Sequence, residues 1–436
     1  MLHHFTQTRR IMRRFFQLLL LCALLGASAN ATQRLIVRSN AGQLALNIAC
    51  PLLGCNVIEA IGDPTSQVFL LGVPDSANLP VIIQALLSVT GIVDVEVDQL
   101  ASILQSSPAI PQSMYNTTPV SYFGSTVWQG YVTQPAATIV GIPNAQSSYG
   151  VTGTGIVAVI DTGVDPMQPV LQPVLIPGYD FTRNSPGGSE LPDVPLTSLP
   201  IVNGIAPVFI SSRSAAGVDE STVSVIDNPQ YAQFGHGTMV AGVIHLVAPR
   251  AFLMPLKAFQ ANGYGYTSDI LRAIYYAVSH GARVLNMSFS MQQWSLELGL
   301  ALDYANTVGA ICVASAGNSS SSSAVYPAAY SNVIAVASTD NYDNRSSFSN
   351  YGSWVWVAAP GEGVVTTYPW GAYAAVWGTS FSAPLVSGTV SLLLQTRWNL
   401  SQSDAANAVA HASPTGPGLG NGRLAIIQAI QGLPWW

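Results

Sequence analysis

From about Gly153 onward two patterns alternate along the chain. Apolar runs of strand length, GIVAVID, FLMPLKAF, ARVLNMSFS, GAICVASAG, NVIAVAST and WVWVAAP, are separated by amphipathic segments of helix length. Helices are expected at about Thr238 to Val247, Thr267 to His280, Ser295 to Val308, Ser382 to Arg397 and Gln402 to Ala410. Near-continuous apolar strands alternating with helices predict a parallel sheet covered on both faces. In such sheets functional groups collect just beyond the carboxyl ends of the strands.

Ahead of this region, Gln33 to about Asp98 holds shorter strand-like runs, RLIVRS, QVFLLGV and VDVEV, with one helical stretch, NLPVIIQALLSVTG. It predicts a small α+β unit. Gln99 to about Gln134 loses periodicity and gains Ser, Pro, Thr and Gln, as a linker or a surface-wrapping arm does. Phe181 to Gln233 breaks the strand and helix rhythm with Pro, Ser and Gly and reads as an insertion. Near the start, RRIMRRFFQLLLLCALLGASANA sets arginines before an apolar run from Phe15 to Leu25, then small residues ending in Ala29-Asn30-Ala31. That is the layout of a secretory signal. The run is about half of the roughly 20 residues that span a bilayer, so no stable membrane anchor is expected. The expected organisation is a signal over 1–31, the α+β unit over 32–100, a linker over 101–135 and the α/β domain over 136–436.

Composition narrows the function. Charged residues make up 8% of the chain, against about 25% in an ordinary soluble protein, so the surface is built from Ser, Thr, Asn, Gln and Gly. The formal net charge is -6 and Lys257 is the only lysine. No basic patch is available to track phosphates, which argues against a nucleic-acid partner. Cys22 falls in the signal. Cys50 and Cys55 could close a small disulfide loop, share a metal or remain free; Cys312, in an apolar run, reads as a buried, inert thiol.

Three segments set chemistry at strand ends or helix starts. VAVIDTGVD ends a strand in Asp161, FGHGTMVAG places His236 between glycines, and WGTSFSAPLVSG places Ser380 at a helix start. A serine hydroxyl is a poor nucleophile at neutral pH and needs a base to take its proton. His236 titrates in the right range, and Asp161 would hold the imidazole in one tautomer and stabilise the imidazolium. A fourth segment, ICVASAGNSSSS, presents the Asn318 amide as a donor to an oxyanion.

These segments resemble the motifs of subtilisin-like serine proteases. The order Asp161, His236, Ser380 is that family's order, and DTGVD, HGTMVAG, NMSFS, ASAGN and GTSFSAP follow one another as its motifs do, from about Val151 to about Pro414. The resemblance implies a three-layer αβα fold and a serine endopeptidase acting through an acyl-enzyme, with Asp161, His236 and Ser380 as triad and Asn318 as oxyanion donor. It further implies a substrate cleft lined by Ser288, Phe289 and Ser290, continuing to Met291, and by Ala314, Ser315, Ala316 and Gly317. The α+β unit, through GIVDVEVDQ, resembles the family's ferredoxin-like propeptide, an inhibitor and chaperone removed by self-processing. The partners implied are protein or peptide substrates and the chain's own propeptide, with the enzyme monomeric, secreted and needing no cofactor.

Departures from the family also carry expectations. Phe289, Ser290 and Met291 stand where glycines are common, which alters the cleft. AGVIHLVAP is too short for the calcium loop found there in some relatives, so no calcium is expected at that place. Without an acidic cluster on the cleft walls, an apolar or broad preference for the residue before the cleaved bond is expected over a basic one.

Other readings are weaker. Asp161 and Ser380 could be plain caps, and His236 with His245 lacks a third ligand at metal spacing. An esterase elbow would read Gly-x-Ser-x-Gly, but Gly378-Thr379-Ser380-Phe381-Ser382 ends in serine. The alternative kept is a catalytically silent secreted binding protein on the same scaffold.

Overall fold

A computed structural model describes residues 33–102, 111–194, 216–217 and 229–433. The expected signal lies outside the described residues, as does most of the expected insertion. The chain divides into two units, one ending at Asp98 and one formed by Ile61–Pro64 and everything from Gln99 on.

The small unit runs β1 (Gln33–Ser39), α1 (Gly42–Leu53), β2 (Asn56–Ala60), β3 (Val68–Val73), α2 (Leu79–Leu87) and β4 (Ile92–Val97). Its sheet order is β2-β3-β1-β4, with β1 antiparallel to both neighbours. This is the βαββαβ ferredoxin-like topology. Leu35 and Val37 of β1, Leu71 of β3, Leu46 of α1 and Leu86 of α2 close its core. Helix α2 starts where Asn78 Oδ1 accepts from the Val81 N–H at 3.4 Å. Helix α1 and strand β2 are absent from the sequence reading. Pro51 sits inside α1, which ends at Gly54 with φ +76°, and a proline and a glycine so close to two cysteines read as a loop. Cys50 and Cys55 are joined as a disulfide across that turn.

The large unit is built on an eight-stranded sheet. Its strands are β8 (Ile156–Asp161), β9 (Gly178–Asp180), β10 (Ser185–Gly187), β11 (Phe252–Lys257), β13 (Ala282–Met287), β14 (Ile311–Ser315), β15 (Ile334–Thr339) and β16 (Val357–Pro360). The order is β10-β9-β11-β8-β13-β14-β15-β16, and every pairing except β10 with β9 is parallel. Helices α5 (His236–Val247) and α8 (Thr379–Thr396) pack on one face, where Val157, Val159, Val284 and Val313 point. Helices α6 (Thr267–Ser279) and α7 (Leu296–Thr307) cover the other. The three-layer αβα expectation therefore holds. All twelve residues of α5 are buried, as a helix wedged between two layers must be.

Residues 111–135 fall in the segment read as a linker or a surface-wrapping arm. They form a hairpin, β6 (Pro119–Tyr122) with β7 (Ser125–Trp128), and bury Met114 and Tyr131 in the main core. Tyr131 Oη of this arm gives its proton to the Gly242 carbonyl within α5 at 2.7 Å, and Gln146 Nε2, further along the chain, donates to the Leu246 and Val247 carbonyls at the end of α5 at 3.1 and 3.2 Å. The Leu246 and Val247 carbonyls lie in the last turn and have no helical partner of their own. A departure from the sequence reading is an antiparallel hairpin, β17 (Glu362–Tyr368) with β18 (Ala372–Trp377), laid over α5. Both of its faces are largely buried, so the sequence shows no alternation to betray it.

Candidate active site

Asp161, His236 and Ser380 are drawn together by the ends of three elements. Asp161 is the last residue of β8 and fully buried. Its Oδ1 accepts from the Thr162 N–H at 2.7 Å and meets His236 Nδ1 at 2.7 Å. A carboxylate at that distance makes Nδ1 the protonated nitrogen and leaves Nε2 the basic one. His236 opens α5, and the glycines beside it have a steric reason. A Cβ at Gly237 would stand 2.0 Å from the Gly163 carbonyl oxygen, and one at Gly235, where φ is +88°, would stand 2.4 Å from the Tyr368 ring. Only glycine lets the helix start press against the end of β8.

Ser380 lies in the first turn of α8, behind Gly378. Its Oγ donates to the Ser288 carbonyl at 3.2 Å, while His236 Nε2 is buried with no hydrogen-bond partner. His236 is 0% and Ser380 3% exposed, so both side chains are buried. A rotation of the serine hydroxyl toward Nε2 would satisfy the orphaned nitrogen and set up proton transfer.

The helix that holds Ser380 has a local defect with a local repair. Pro384 sits inside α8 and lacks the N–H that would bond the carbonyl four residues earlier, that of Ser380. The Ser288 hydroxyl donates to that carbonyl instead, at 2.9 Å. Asn286 Nδ2 donates to Ser288 Oγ at 2.9 Å, and Ser387 Oγ to Asn286 Oδ1 at 2.8 Å. A chain of side chains thus ties β13 to α8.

Asn318 follows β14. Its Oδ1 accepts from both the backbone N–H and the hydroxyl of Thr379, each at 2.9 Å, and Thr379 Oγ1 accepts in turn from the Gly317 N–H at 3.1 Å. A backbone N–H can only donate, so the amide oxygen is fixed toward Thr379 and the amino group is the other end. The amide lies against the residue just before Ser380.

The residues expected to line a cleft are buried as side chains. Ser288, Phe289, Met291, Ala314, Ser315 and Ala316 are all 2% exposed or less, and Gly317 is buried as well. Phe289 packs on Phe259 at 4.9 Å between ring centres. Only Ser290 of this group is partly exposed, so what these two segments can offer a ligand is backbone. Alongside them, β12 (Tyr264–Tyr266) pairs antiparallel with β5 (Leu100–Ser102).

Sequence reasoning missed a buried carboxylate. Glu190, in the expected insertion, is 0% exposed. Its Oε2 accepts from the Thr162 hydroxyl at 3.0 Å and the Gly235 N–H at 2.8 Å, and its Oε1 accepts from the Thr238 hydroxyl. Burial pushes it up to about 8, against the pull of those donors and of the Lys257 charge. Lys257, equally buried, donates to the Thr162 and Phe259 carbonyls and pairs with Asp193 at 2.7 Å. An acid in a Ser, Pro and Gly stretch carried no periodicity that could have flagged it. The two threonines were visible, in DTG and HGT. Both ends of the same stretch, through Arg183, Asp193 and Tyr231, line a polar cavity of about 360 Å³ with Gln260 and Asn262. Among the described residues no three His, Cys, Asp or Glu side chains gather as a metal site, and no helix is long and apolar enough to cross a membrane.

A parallel αβα fold with this acid, base and hydroxyl at one end of its sheet is the framework of a serine-type hydrolase. The sequence pattern of the Subtilase family matches residues 153–427. The thermophilic serine proteinase of Bacillus sp. strain AK1 is 34% identical over 348 residues, 77% of this chain and 76% of that protein. Thermitase of Thermoactinomyces vulgaris is 33% identical over 287 residues, 63% of this chain and 88% of that one. Fervidolysin from Fervidobacterium pennivorans, described as a keratinolytic enzyme related to subtilisin, superposes with a TM-score of 0.70 over 93% of this chain at 24% identity, showing the shared fold; this chain spans 62% of its length. The chain belongs to the subtilase family and is a serine-type peptidase.

Proposed function

We propose that the protein is a secreted serine endopeptidase made as a self-processing zymogen, with Asp161, His236 and Ser380 as its triad. The observation that carries this is the fully buried Asp161 to His236 contact at 2.7 Å, which leaves Nε2 unpartnered beside the α8 start. Nε2 takes the Ser380 proton as Oγ attacks the peptide carbonyl. The oxyanion is held by the Asn318 amino group and the Ser380 N–H. His236 then gives the proton to the leaving amine, and water, deprotonated by the same nitrogen, releases the acyl group. Substrate backbone would run along Ser288–Ser290 and Ala314–Gly317, with an apolar or broad preference before the cleaved bond. All of these groups come from one chain, so the working unit is a monomer, and none of the steps needs a cofactor.

The small unit acts as propeptide in this reading. Its ferredoxin-like topology supports that role, as does the strand pairing of Leu100–Ser102, just beyond it, with Tyr264–Tyr266. The test is to express the full chain, treat it with a fluorophosphonate, and locate both the labelled residue and the mature N-terminus by mass spectrometry. Label on Ser380 and a new N-terminus between about Asp98 and Gln134 are expected. S380A should neither label, cleave casein nor process itself. A folded wild-type chain that takes no label yet retains peptides would instead be the silent binding protein.

A further inference from the structure

The catalytic pair is held by something that neither partner supplies. Asp161 and His236 sit on different elements, a strand end and a helix start, and their 2.7 Å contact depends on how those ends meet. One carboxylate touches both. Glu190 binds the residue after Asp161, through the Thr162 hydroxyl, and the residues flanking His236, through the Gly235 N–H and the Thr238 hydroxyl. Thr162 Oγ1 also accepts from the Gly237 N–H at 2.9 Å, and Thr238 Oγ1 from the Asp165 N–H at 2.8 Å. Since each threonine oxygen already receives a backbone proton, each hydroxyl points its own proton at Glu190. Three donors therefore converge on two oxygens, an arrangement suited to a carboxylate.

We propose that Glu190 is a positioning residue for the reaction: in its ionised form it gathers Thr162, Gly235 and Thr238 into one anchor and so holds the His236 imidazole against Asp161. It makes no contact with the reacting atoms. The proposal rests on the protease reading given above and adds to it an ionisation that governs turnover.

The groups around Glu190 set the direction of that pH effect. Lys257 approaches from β11 and favours the anion. Asp161 at the end of β8, Asp165 in the loop after it, and Asp193 on Glu190's own loop are acidic; Tyr368 comes from β17, and His236 from α5. Burial outweighs the donors and holds the acid up to about 8. Below that pH the carboxyl carries a proton, and one of the three donors loses its acceptor. Turnover should thus show a rise near pH 8 that belongs to Glu190.

The test uses E190Q in the matured full chain. Glutamine keeps the shape and one acceptor but sets an amino group against donors. Active sites are counted by fluorophosphonate labelling, and kcat and KM are measured from pH 5 to 10 with a peptide substrate. KM within about twofold of wild type is expected, with kcat per labelled site down about tenfold to a hundredfold and the rise near pH 8 gone. If E190Q does not accumulate, T162V and T162S replace it: valine should lose kcat and the rise near pH 8, and serine should keep both. Unchanged kcat per site with the rise near pH 8 retained, or a change confined to KM, overturns the proposal, as does a T162V variant equal to T162S. A wild-type chain that fails to label at Ser380 would count against the protease reading instead.

Discussion

The Ser288 hydroxyl donates to the Ser380 carbonyl at 2.9 Å because Pro384, four residues along the helix, has no proton to give it. The serine proposed as nucleophile thus stands on a turn completed from another strand. Replacing Ser288 by Ala should leave a buried carbonyl unpaired, at about 1–3 kcal/mol of stability, and lower kcat. P384A restores the helical donor, so S288A should cost measurably less in that background. Denaturant titration of the two single variants and the double variant gives the coupling. Strict additivity would show that the two positions do not share one carbonyl.

The Asn318 amide is oriented by Thr379. Valine at 379 keeps the shape but removes the hydroxyl that Asn318 Oδ1 and the Gly317 N–H share. kcat should fall by about tenfold with KM little changed, less than the ~10²–10³ lost when the donor itself is removed in subtilisin, a family relative. T379S should restore the rate. Steady-state kinetics on the wild type and the two variants decides it.

Much of this architecture was legible in the sequence, and the parts that were not share a cause. Parallel strands such as IVAVID and ICVAS are buried on both faces and announce themselves as apolar runs. Asp161, His236 and Ser380 lie in short motifs at the ends of such runs. Glu190, by contrast, matters through three partners up to 48 residues away in the chain, and nothing within its own segment points to them. Ser288 was read as a cleft residue, since a motif shows that a hydroxyl is present and not where it donates. The β17–β18 hairpin and α1 were hidden for different reasons, one buried on both faces and so without alternation, the other interrupted by a proline.

His245 links the arm to stability at low pH. Burial holds it down to about 4, against an ordinary 6.5. The unfolded chain then binds more protons than the folded one between those values, so the stabilisation is complete above about 6.5 and lost as pH falls toward 4. Its size is about 3 kcal/mol. H245Q, which keeps a hydrogen-bonding side chain beside Tyr131, should flatten melting temperature against pH in that window. An unaltered slope would contradict the assignment.

Cys312 should be silent in the folded protein. It is 0% exposed, and burial pushes its thiol up to about 12, so iodoacetamide at pH 8 should modify it only after denaturation. Peptide mapping of native and unfolded samples checks this. Cys50 and Cys55, joined as a disulfide, should label in neither sample unless a reductant is added.

Lys257 is the chain's only lysine, and it is sealed in the interior with its ammonium fully engaged. Every other basic side chain that stays charged at neutral pH is a guanidinium. Reducing sugars, reactive aldehydes and amine-directed cross-linkers therefore find no lysine on the folded surface. The lysine that pairs with Asp193 beneath the Thr162 carbonyl is thereby one that chemical ageing of the surface cannot reach.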